Sequence, residues 1–579
     1  QRQTLSTGLI AGAPMSSMKM LAVRDNNGVC EEVVTGQHNV DLTYSCYQYN
    51  DLGAVVQGCA VPFGGFALDT TYGAITKTAS MTFNQDAVTD FSQFSLPDVT
   101  NFNLRAQMLI DGASFKSNSV NVEFTPAGIQ LSHDIVDDHV AGLPFTFMIK
   151  GYGYNNIDLP SYNPDKLAVY ATRVAPVGGQ AYGTFTFGQG YAVSSDPLFN
   201  LSIPSIPLYG SQLRFTNGEY TYDQALFSDI GALEVYVIDQ HTFREVQSNT
   251  LRIGPFVPAY FDVSAVYSPA FDHATSNAFT YLGQPFFFDL SALPQVEVTA
   301  YNALGQVVPN YDGSEWKLAP TAAQATNQIG YSDVSGSGLS LSLSTTPTTP
   351  TLSGLTNTDG KGKITLNNIA LAYGKTATPI SAFATDVDMT IAKEFLTDVN
   401  GTCYQQSYPN GCSSFTFSNI TGTEQRYGRL YFDNAYGPEN QALYIPISAQ
   451  YFNAGNWVIN TDDNSTNNNI SQAIGQLTLT NLADSETNIT SLYSGIQSVG
   501  FLVGGQSDAN DLLFPAANAR GGMQVTISSV VGSPAWAQYL NFDWNGDGII
   551  NGLDMPSATI NFGIFRGNDR KLNFREVLE

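Results

Sequence analysis

Apolar and polar residues alternate along most of the chain, in runs of about five to eight positions that break at Gly, Asn or Pro. Ala232-Leu233-Glu234-Val235-Tyr236-Val237 and Gln295-Val296-Glu297-Val298-Thr299-Ala300 are typical. A period of two puts every second side chain on one face, which is the signature of a half-buried strand. Helical periodicity is scarce. The pattern predicts an all-β protein.

The strands recur in a weak repeat. Phe215-Thr216-Asn217-Gly218-Glu219-Tyr220-Thr221 leads to Phe227-Ser228-Asp229-Ile230-Gly231-Ala232-Leu233-Glu234-Val235. An earlier copy runs from Phe83 through Leu96-Pro97-Asp98-Val99 to Phe102–Ala106. A later one runs from Thr358-Asp359-Gly360-Lys361-Gly362 to Ala370-Leu371-Ala372-Tyr373-Gly374. The unit is turn, strand, turn, returning strand, the closing half of an immunoglobulin-like sandwich. Gly142-Leu143-Pro144-Phe145-Thr146-Phe147 and Gly283-Gln284-Pro285-Phe286-Phe287-Phe288 open two of these units. The expected architecture is tandem immunoglobulin-like β-sandwich domains in an elongated array. Sandwiches span 1–125, 126–255 and 256–416, and a C-terminal β module spans 417–579. The Ser/Thr/Gly/Pro-rich segment 335–356 reads as a long loop or an exposed edge.

Composition agrees with this. Of 579 residues 43% are hydrophobic, enough for several cores, and only 13% are charged. Asp and Glu total 50 against 24 Lys and Arg, a net charge of −26. That balance argues against nucleic acid, which needs a basic surface. No apolar run reaches the roughly 18 residues of a membrane helix, so membrane insertion is not expected. Gln1 does not open a signal peptide, so export is not read from the N-terminus.

One motif carries chemistry. In Asp543-Trp544-Asn545-Gly546-Asp547-Gly548-Ile549-Ile550-Asn551-Gly552-Leu553-Asp554, side-chain oxygens stand at loop positions 1, 3, 5, 9 and 12, with glycine at 6. Ca²⁺ takes six to eight hard oxygen ligands around such a turn. Asp543, Asn545 and Asp547 would bind directly, Ile549 through its carbonyl, Asn551 through a water, and Asp554 would close the loop. As in dockerin-type loops, position 12 is Asp554 where many such loops have the longer Glu. The bland alternative is an Asn/Asp/Gly-rich turn without metal.

Other clusters are weaker. His133-Asp134 with Asp137-Asp138-His139 reads as a strand end before it reads as a metal site. Asp462-Asp463-Asn464 is either a second calcium loop or a polar turn, and Asp508, Asn510 and Asp511 read as a turn. Tyr152, Tyr154 and Tyr162 are a sugar platform only if they are not core tyrosines. The five histidines sit in no nucleophile motif, and there is no Gly-x-Ser-x-Gly elbow or Walker loop, so no enzyme is expected. The cysteines lack Cys-x-x-Cys spacing. Cys403 and Cys412 flank a turn and read as a short disulfide; among Cys30, Cys46 and Cys59, the pair Cys46–Cys59 is favoured and free thiols are the alternative.

Several short segments together resemble the MshQ-like proteins, associated with the mannose-sensitive haemagglutinin (MSHA) type IV pilus of Gram-negative bacteria. They are Leu21-Ala22-Val23-Arg24, Gly254-Pro255-Phe256-Val257-Pro258-Ala259-Tyr260-Phe261, Gly428-Arg429-Leu430-Tyr431-Phe432-Asp433-Asn434-Ala435-Tyr436-Gly437, Ala449-Gln450-Tyr451-Phe452, Trp457 with Asn460-Thr461-Asp462-Asp463, the calcium loop, and Phe562–Arg570. The family often has a Cys after Thr-Asp-Asp; Asn464-Ser465 follow here. The resemblance implies an extracellular, pilus-linked, non-enzymatic adhesin or tip or stalk subunit. Its partners would be pilus subunits or neighbouring copies, with a possible cell-surface or glycan ligand. The alternative from a different class is a structural subunit that polymerises into an extracellular fibre or surface layer.

Overall fold

A computed structural model describes residues 8–563, apart from 50–54, 58–61, 67–72, 165, 178–182, 189–190, 195–205, 208–212, 241–243, 273–278, 346–347, 354–356, 467–469, 472–476, 499, 509, 528–538 and 552–553. Nearly every described element is a strand, and one short α-helix, Ala322–Asn327, stands out. No helix among the described residues is long and apolar enough to cross a membrane. The chain divides into two compact units, one of 1–261, 299–317 and 357–361, the other of 262–298, 318–356 and 362–579.

The first unit holds two sandwiches. In the first, Thr100–Ile110 and Gly36–Tyr49 pair at the centre of a sheet that also carries Leu9–Ile10, Val120–Thr125, Ile75–Phe83 and Val55–Gln57. Tyr44, Phe63, Phe91 and Phe94 fill its core, with Phe63 stacked on Phe94 at 5.3 Å. In the second, Phe145–Tyr152 alternates buried and half-buried positions without a break, as its sequence pattern requires. It pairs with Gly128–His133 and Glu219–Phe227. The facing sheet is centred on Gly231–Gln240, paired antiparallel with Lys166–Ala175 and Leu251–Val257. Phe145, Phe147, Phe185, Phe227 and Phe256 interlock between them.

In the second unit, Phe279–Tyr281, Phe415–Arg426, Phe383–Ile391 and Ile329–Asp333 form one sheet of a third sandwich, in that order. Phe286–Phe287, Ala370–Tyr373 and Leu341–Ser344 form another. The Ser/Thr-rich segment therefore supplies edge strands: Leu341–Ser344, and Thr351–Ser353 against Thr365, Leu366 and Asn367. The last module combines the sheet Gly428–Phe432, Ile447–Asn453, Asn456–Ile459 with the sheet Ala435–Gly437, Ser557–Phe562, Gly521–Ile527, Leu477–Asn481. Its core runs from Leu430, Ile447 and Phe514 to Phe562, and it takes in Phe279 and Tyr281 of the third sandwich.

Two expected boundaries shift. Position 416 lies inside Phe415–Arg426, which pairs with Phe383–Ile391, so the third sandwich closes at the end of that strand rather than at the cysteine turn. Segment 299–317, placed by sequence in the 256–416 sandwich, packs into the first unit.

The opening element recurs more often than the sequence pattern suggested. Leu9–Ile10, His139–Val140 and Phe279–Tyr281 each pair in parallel with the last strand of their sandwich. A glycine with positive φ follows each: Gly12 at 81°, Gly142 at 80° and Gly283 at 88°. Their amides donate to the carbonyls of Leu96, Phe227 and Tyr373 respectively. Only glycine enters this region freely, and a Cβ on Gly12 would overlap the Ile157 side chain. Ala11-Gly12-Ala13-Pro14 is thus a third copy of the Gly-x-Pro opening. A fourth parallel pair, Ala435–Gly437 on Ile560–Phe562, belongs to the last module.

Candidate metal centre and the junctions around it

The loop from Asp543 folds around its own carboxylates. Asp543 Oδ1 accepts the amides of Gly546 and Asp547, and its Oδ2 accepts that of Gly548. Asn545 Oδ1 takes the Asp547 amide, and Asp547 Oδ1 takes the Ile549 amide. Gly546 and Gly548 both have positive φ, which lets the chain turn back within hydrogen-bond reach of Asp543. One carboxylate oxygen from each of Asp543, Asp547 and Asp554 lies within 4.8 Å of the other two. Asp554 is only 1% exposed. Its Oδ2 accepts the Asn551 amide, while Oδ1 is buried with no hydrogen-bond partner among the described residues. A buried, unpartnered carboxylate oxygen is costly unless a cation neutralises it. The donor set is all hard oxygen, so these residues fit Ca²⁺. Of the six sequence-predicted ligands, Asp543, Asp547 and Asp554 converge by their carboxylates. Asn545 is tied to Asp547 at 3.1 Å, the Ile549 side chain is exposed, and Asn551 turns its amide to Asp554.

Aromatic packing anchors the start of the loop. Phe542 meets Trp457 edge-on at 5.1 Å, and Trp544 lies 6.0 Å from the Tyr431 ring. The Arg429 guanidinium sits 3.9 Å from the Trp457 ring centre and 5.1 Å from that of Trp544, and donates to Gln450. A guanidinium over indole faces is a favourable cation–π arrangement. Burial pushes the Arg429 pKa down to about 10.

Just before the loop, Lys375 of the third sandwich enters the last module. Its Nζ donates to three backbone carbonyls, Gly428 at 2.6 Å, Tyr539 at 2.6 Å and Asn541 at 2.7 Å, and lies over the Tyr427 ring. Those carbonyls match the three donors of an ammonium. Burial nonetheless pushes its pKa down to about 7. Between pH 7 and 10 the unfolded chain would hold a proton there that the folded chain has lost, so stability rises with pH across that window. Against Lys375→Met, the wild type should gain up to about 1.4 kcal/mol per pH unit from pH 7 to 9 in urea titrations. Parallel curves for the two proteins would refute this.

The repeat explains where such groups occur. The same inter-sheet turn carries Asp98 in the first sandwich and Asp229 in the second, and Lys375 stands there in the third. Asp98 accepts the amides of Val99 and of Ser161, which belongs to the second sandwich. Asp229 accepts the Ile230 amide and the Asn310 side-chain amide, and pairs with buried Arg173 at 3.7 Å. Burial raises both carboxyls above their ordinary range; hydrogen bonds oppose it at each, and at Asp229 the Arg173 charge does too. Sequence reasoning quoted Asp98 and Asp229 within the repeat but not as joints, quoted Arg429 within a family-like segment without a role, and passed over Lys375. The available signal was the alignment of the three turns, where a charged residue recurs beside apolar ones.

The remaining candidates are structural. His133 Nε2 contacts the Arg252 carbonyl and His139 Nε2 that of Leu143, so the two rings are engaged by backbone and no cation cluster forms among the described residues of 133–139. Asp463 accepts the amides of Ser465 and Thr466, the Thr466 hydroxyl and the Tyr281 hydroxyl, which makes it a buried turn and not a calcium loop. Asp462 instead pairs with Arg426. Asp508 caps the Asn510 amide and takes an Asp511 oxygen on its own amide, a closed turn. Tyr162 is buried with its hydroxyl on Asp239, Tyr152 is half-buried, and Tyr154 is exposed, so the three are no platform. Cys403 and Cys412 are bonded, Cys46 is disulfide-bonded, and Cys30 is free and exposed. Cys59, the expected partner of Cys46, lies outside the described residues.

The fold and the loop define a tandem immunoglobulin-like β-sandwich protein. The chain belongs to the DUF6701 family. Family models match residues 3–121 as a domain of unknown function (DUF6701), first Ig-like domain, 231–419 as the third domain and 426–577 as the fourth. No curated protein matches the chain. Among solved structures, the Escherichia coli adhesin FdeC overlaps at 11% identity and a TM-score of 0.26, over 76% of this chain and 99% of that one. A tetra-tandem repeat from the extending region of a large adhesion protein overlaps at 12% identity and a TM-score of 0.28, over 92% and 93%. Overlaps this loose carry no conclusion about this chain.

Proposed function

We propose that the chain is a non-enzymatic extracellular attachment protein, a pilus-associated adhesin or tip or stalk subunit of a Gram-negative bacterium. Its β-sandwiches bear pulling force, and Ca²⁺ clamps its last module. The observation that carries this reading is the set of three converging carboxylates, with the orphaned Asp554 oxygen, at the joint-forming end of that module. Bound calcium would neutralise the carboxylates and hold the loop closed. The Cys403–Cys412 disulfide supports an oxidising compartment. The joints at Asp98, Asp229 and Lys375 support force transmission, since each ties one sandwich to the next element through buried polar contacts. The pilus assignment rests on the MshQ-like segments.

The fibre-subunit reading has one observation in its favour. Asn456–Ile459 has a single strand partner among the described residues, and Val458 and Ile459 on it are exposed, an edge open to a neighbour's strand. The test presents purified protein to intact and pilus-deficient cells and to a glycan array, in calcium and in EDTA. Saturable binding in calcium that EDTA abolishes is expected. Concentration-dependent filaments without any surface binding would replace the attachment reading with the fibre reading.

A further inference from the structure

We propose that calcium binding in the Asp543–Asp554 loop and docking of the third sandwich onto the last module are one coupled equilibrium, transmitted through residues 539–544. The inference rests on the calcium reading above and adds a regulatory role for that site: the joint is stiff when free Ca²⁺ is high and loosens when it falls.

Four contacts of this short segment carry the argument. The Tyr539 ring lies parallel to Tyr281 of the third sandwich at 5.9 Å. The Tyr539 and Asn541 carbonyls hold Lys375, also from the third sandwich. The Leu540 carbonyl accepts the Leu430 amide, and its side chain is buried in the core that includes Phe279 and Tyr281. Phe542 and Trp544 then pack on the Arg429 and Trp457 cluster. Asp543, the first ligand, sits between those two aromatics and two residues beyond Asn541. The loop cannot move its first ligand far without moving the carbonyls that satisfy Lys375.

The energetics favour coupling in both directions. Without a cation, three carboxylates converging within 4.8 Å repel one another and Asp554 Oδ1 is buried unpaired, so the loop is driven to open. Opening withdraws two of the three Lys375 acceptors and leaves its partly buried amino group short of partners, which is unfavourable. Undocking therefore accompanies opening. By linkage, whatever docking contributes to the closed loop appears as calcium affinity.

The experiment uses the whole chain. Isothermal titration with CaCl₂ compares wild type with Lys375→Met, and hydrogen exchange compares wild type with and without calcium. Lys375→Met lies outside the loop, yet its calcium affinity should fall about fivefold or more. In wild type, calcium should slow exchange at Leu430 and at Gly283, whose amide bonds the Tyr373 carbonyl beside Lys375. Asp543→Ala with Asp547→Ala should abolish that slowing. Unchanged affinity in Lys375→Met, with protection confined to the loop, would overturn the coupling while leaving the calcium site standing. A wild type that takes up no calcium would overturn the calcium reading itself.

Discussion

Arg173→Met should destabilise the first compact unit by about 3–5 kcal/mol, among the largest effects of any single surface-distant substitution in the protein. Both members of the Arg173–Asp229 pair are nearly inaccessible. Removing the guanidinium leaves Asp229 with hydrogen bonds from Ile230 and Asn310 but no opposite charge in a buried site. Its carboxyl, already raised by burial, would then rise further. The damage should reach beyond the second sandwich, because Asn310 and Asn302 lie in segment 299–317, and Asn302 donates to the Ser228 carbonyl. Hydrogen exchange across a urea series, read on Gly231–Gln240, would measure the loss. Adding Asp229→Asn should recover part of it, since an amide keeps the Ile230 contact without the charge. A urea midpoint unchanged in Arg173→Met would show that the pair does no more than occupy space.

Tyr281→Ala should cost about 3–5 kcal/mol in the second unit, and Tyr281→Phe about 1–3 kcal/mol. The ring is 2% exposed and packs on Phe279 and Tyr539. A Cβ on Gly428 would strike it, so the cavity left by alanine has rigid backbone walls and collapses poorly. The hydroxyl donates to Asp463 at 2.8 Å and accepts from Asn460 at 2.7 Å. Phenylalanine keeps the ring but leaves those two buried groups short of a partner, although Asp463 retains Thr466. Two substitutions at one position thus separate packing from polar satisfaction. Equal losses for Ala and Phe, read by urea unfolding of the second unit, would contradict this division.

Much of the fold was legible because the pattern of two is local. Gly231–Gln240 and Phe145–Tyr152 alternate in sequence and therefore in burial. The Gly-x-Pro opening was legible at Gly142 and Gly283, where a Pro-Phe pair and further aromatic residues follow in the sequence. At Gly12 the following strand, Met15–Leu21, alternates irregularly and shifts register against Val88–Phe91, which hid the third copy. The end of the third sandwich was misplaced because the disulfide-bonded turn at Cys403–Cys412 reads as a terminus, while the closing strand comes after it. The spacing of the Asp543–Asp554 loop pointed to the three carboxylates that converge, Asp543, Asp547 and Asp554, since side-chain placement in such loops is set by positions along the chain. The burial of Asp554, the Lys375 joint and the Arg429 cluster depend on strands distant in sequence, and no local pattern encodes them.

If Ca²⁺ clamps the last module, as proposed, differential scanning calorimetry of the whole chain will show it. At calcium a hundredfold above its dissociation constant, the module should gain about 2.7 kcal/mol over the EDTA form. For a module of this size that is a rise of several degrees in its transition, at about 2–4 °C per kcal/mol. Asp543→Ala with Asp547→Ala should melt at the EDTA temperature in either buffer. Identical wild-type melting in calcium and in EDTA would show that calcium does not clamp the module.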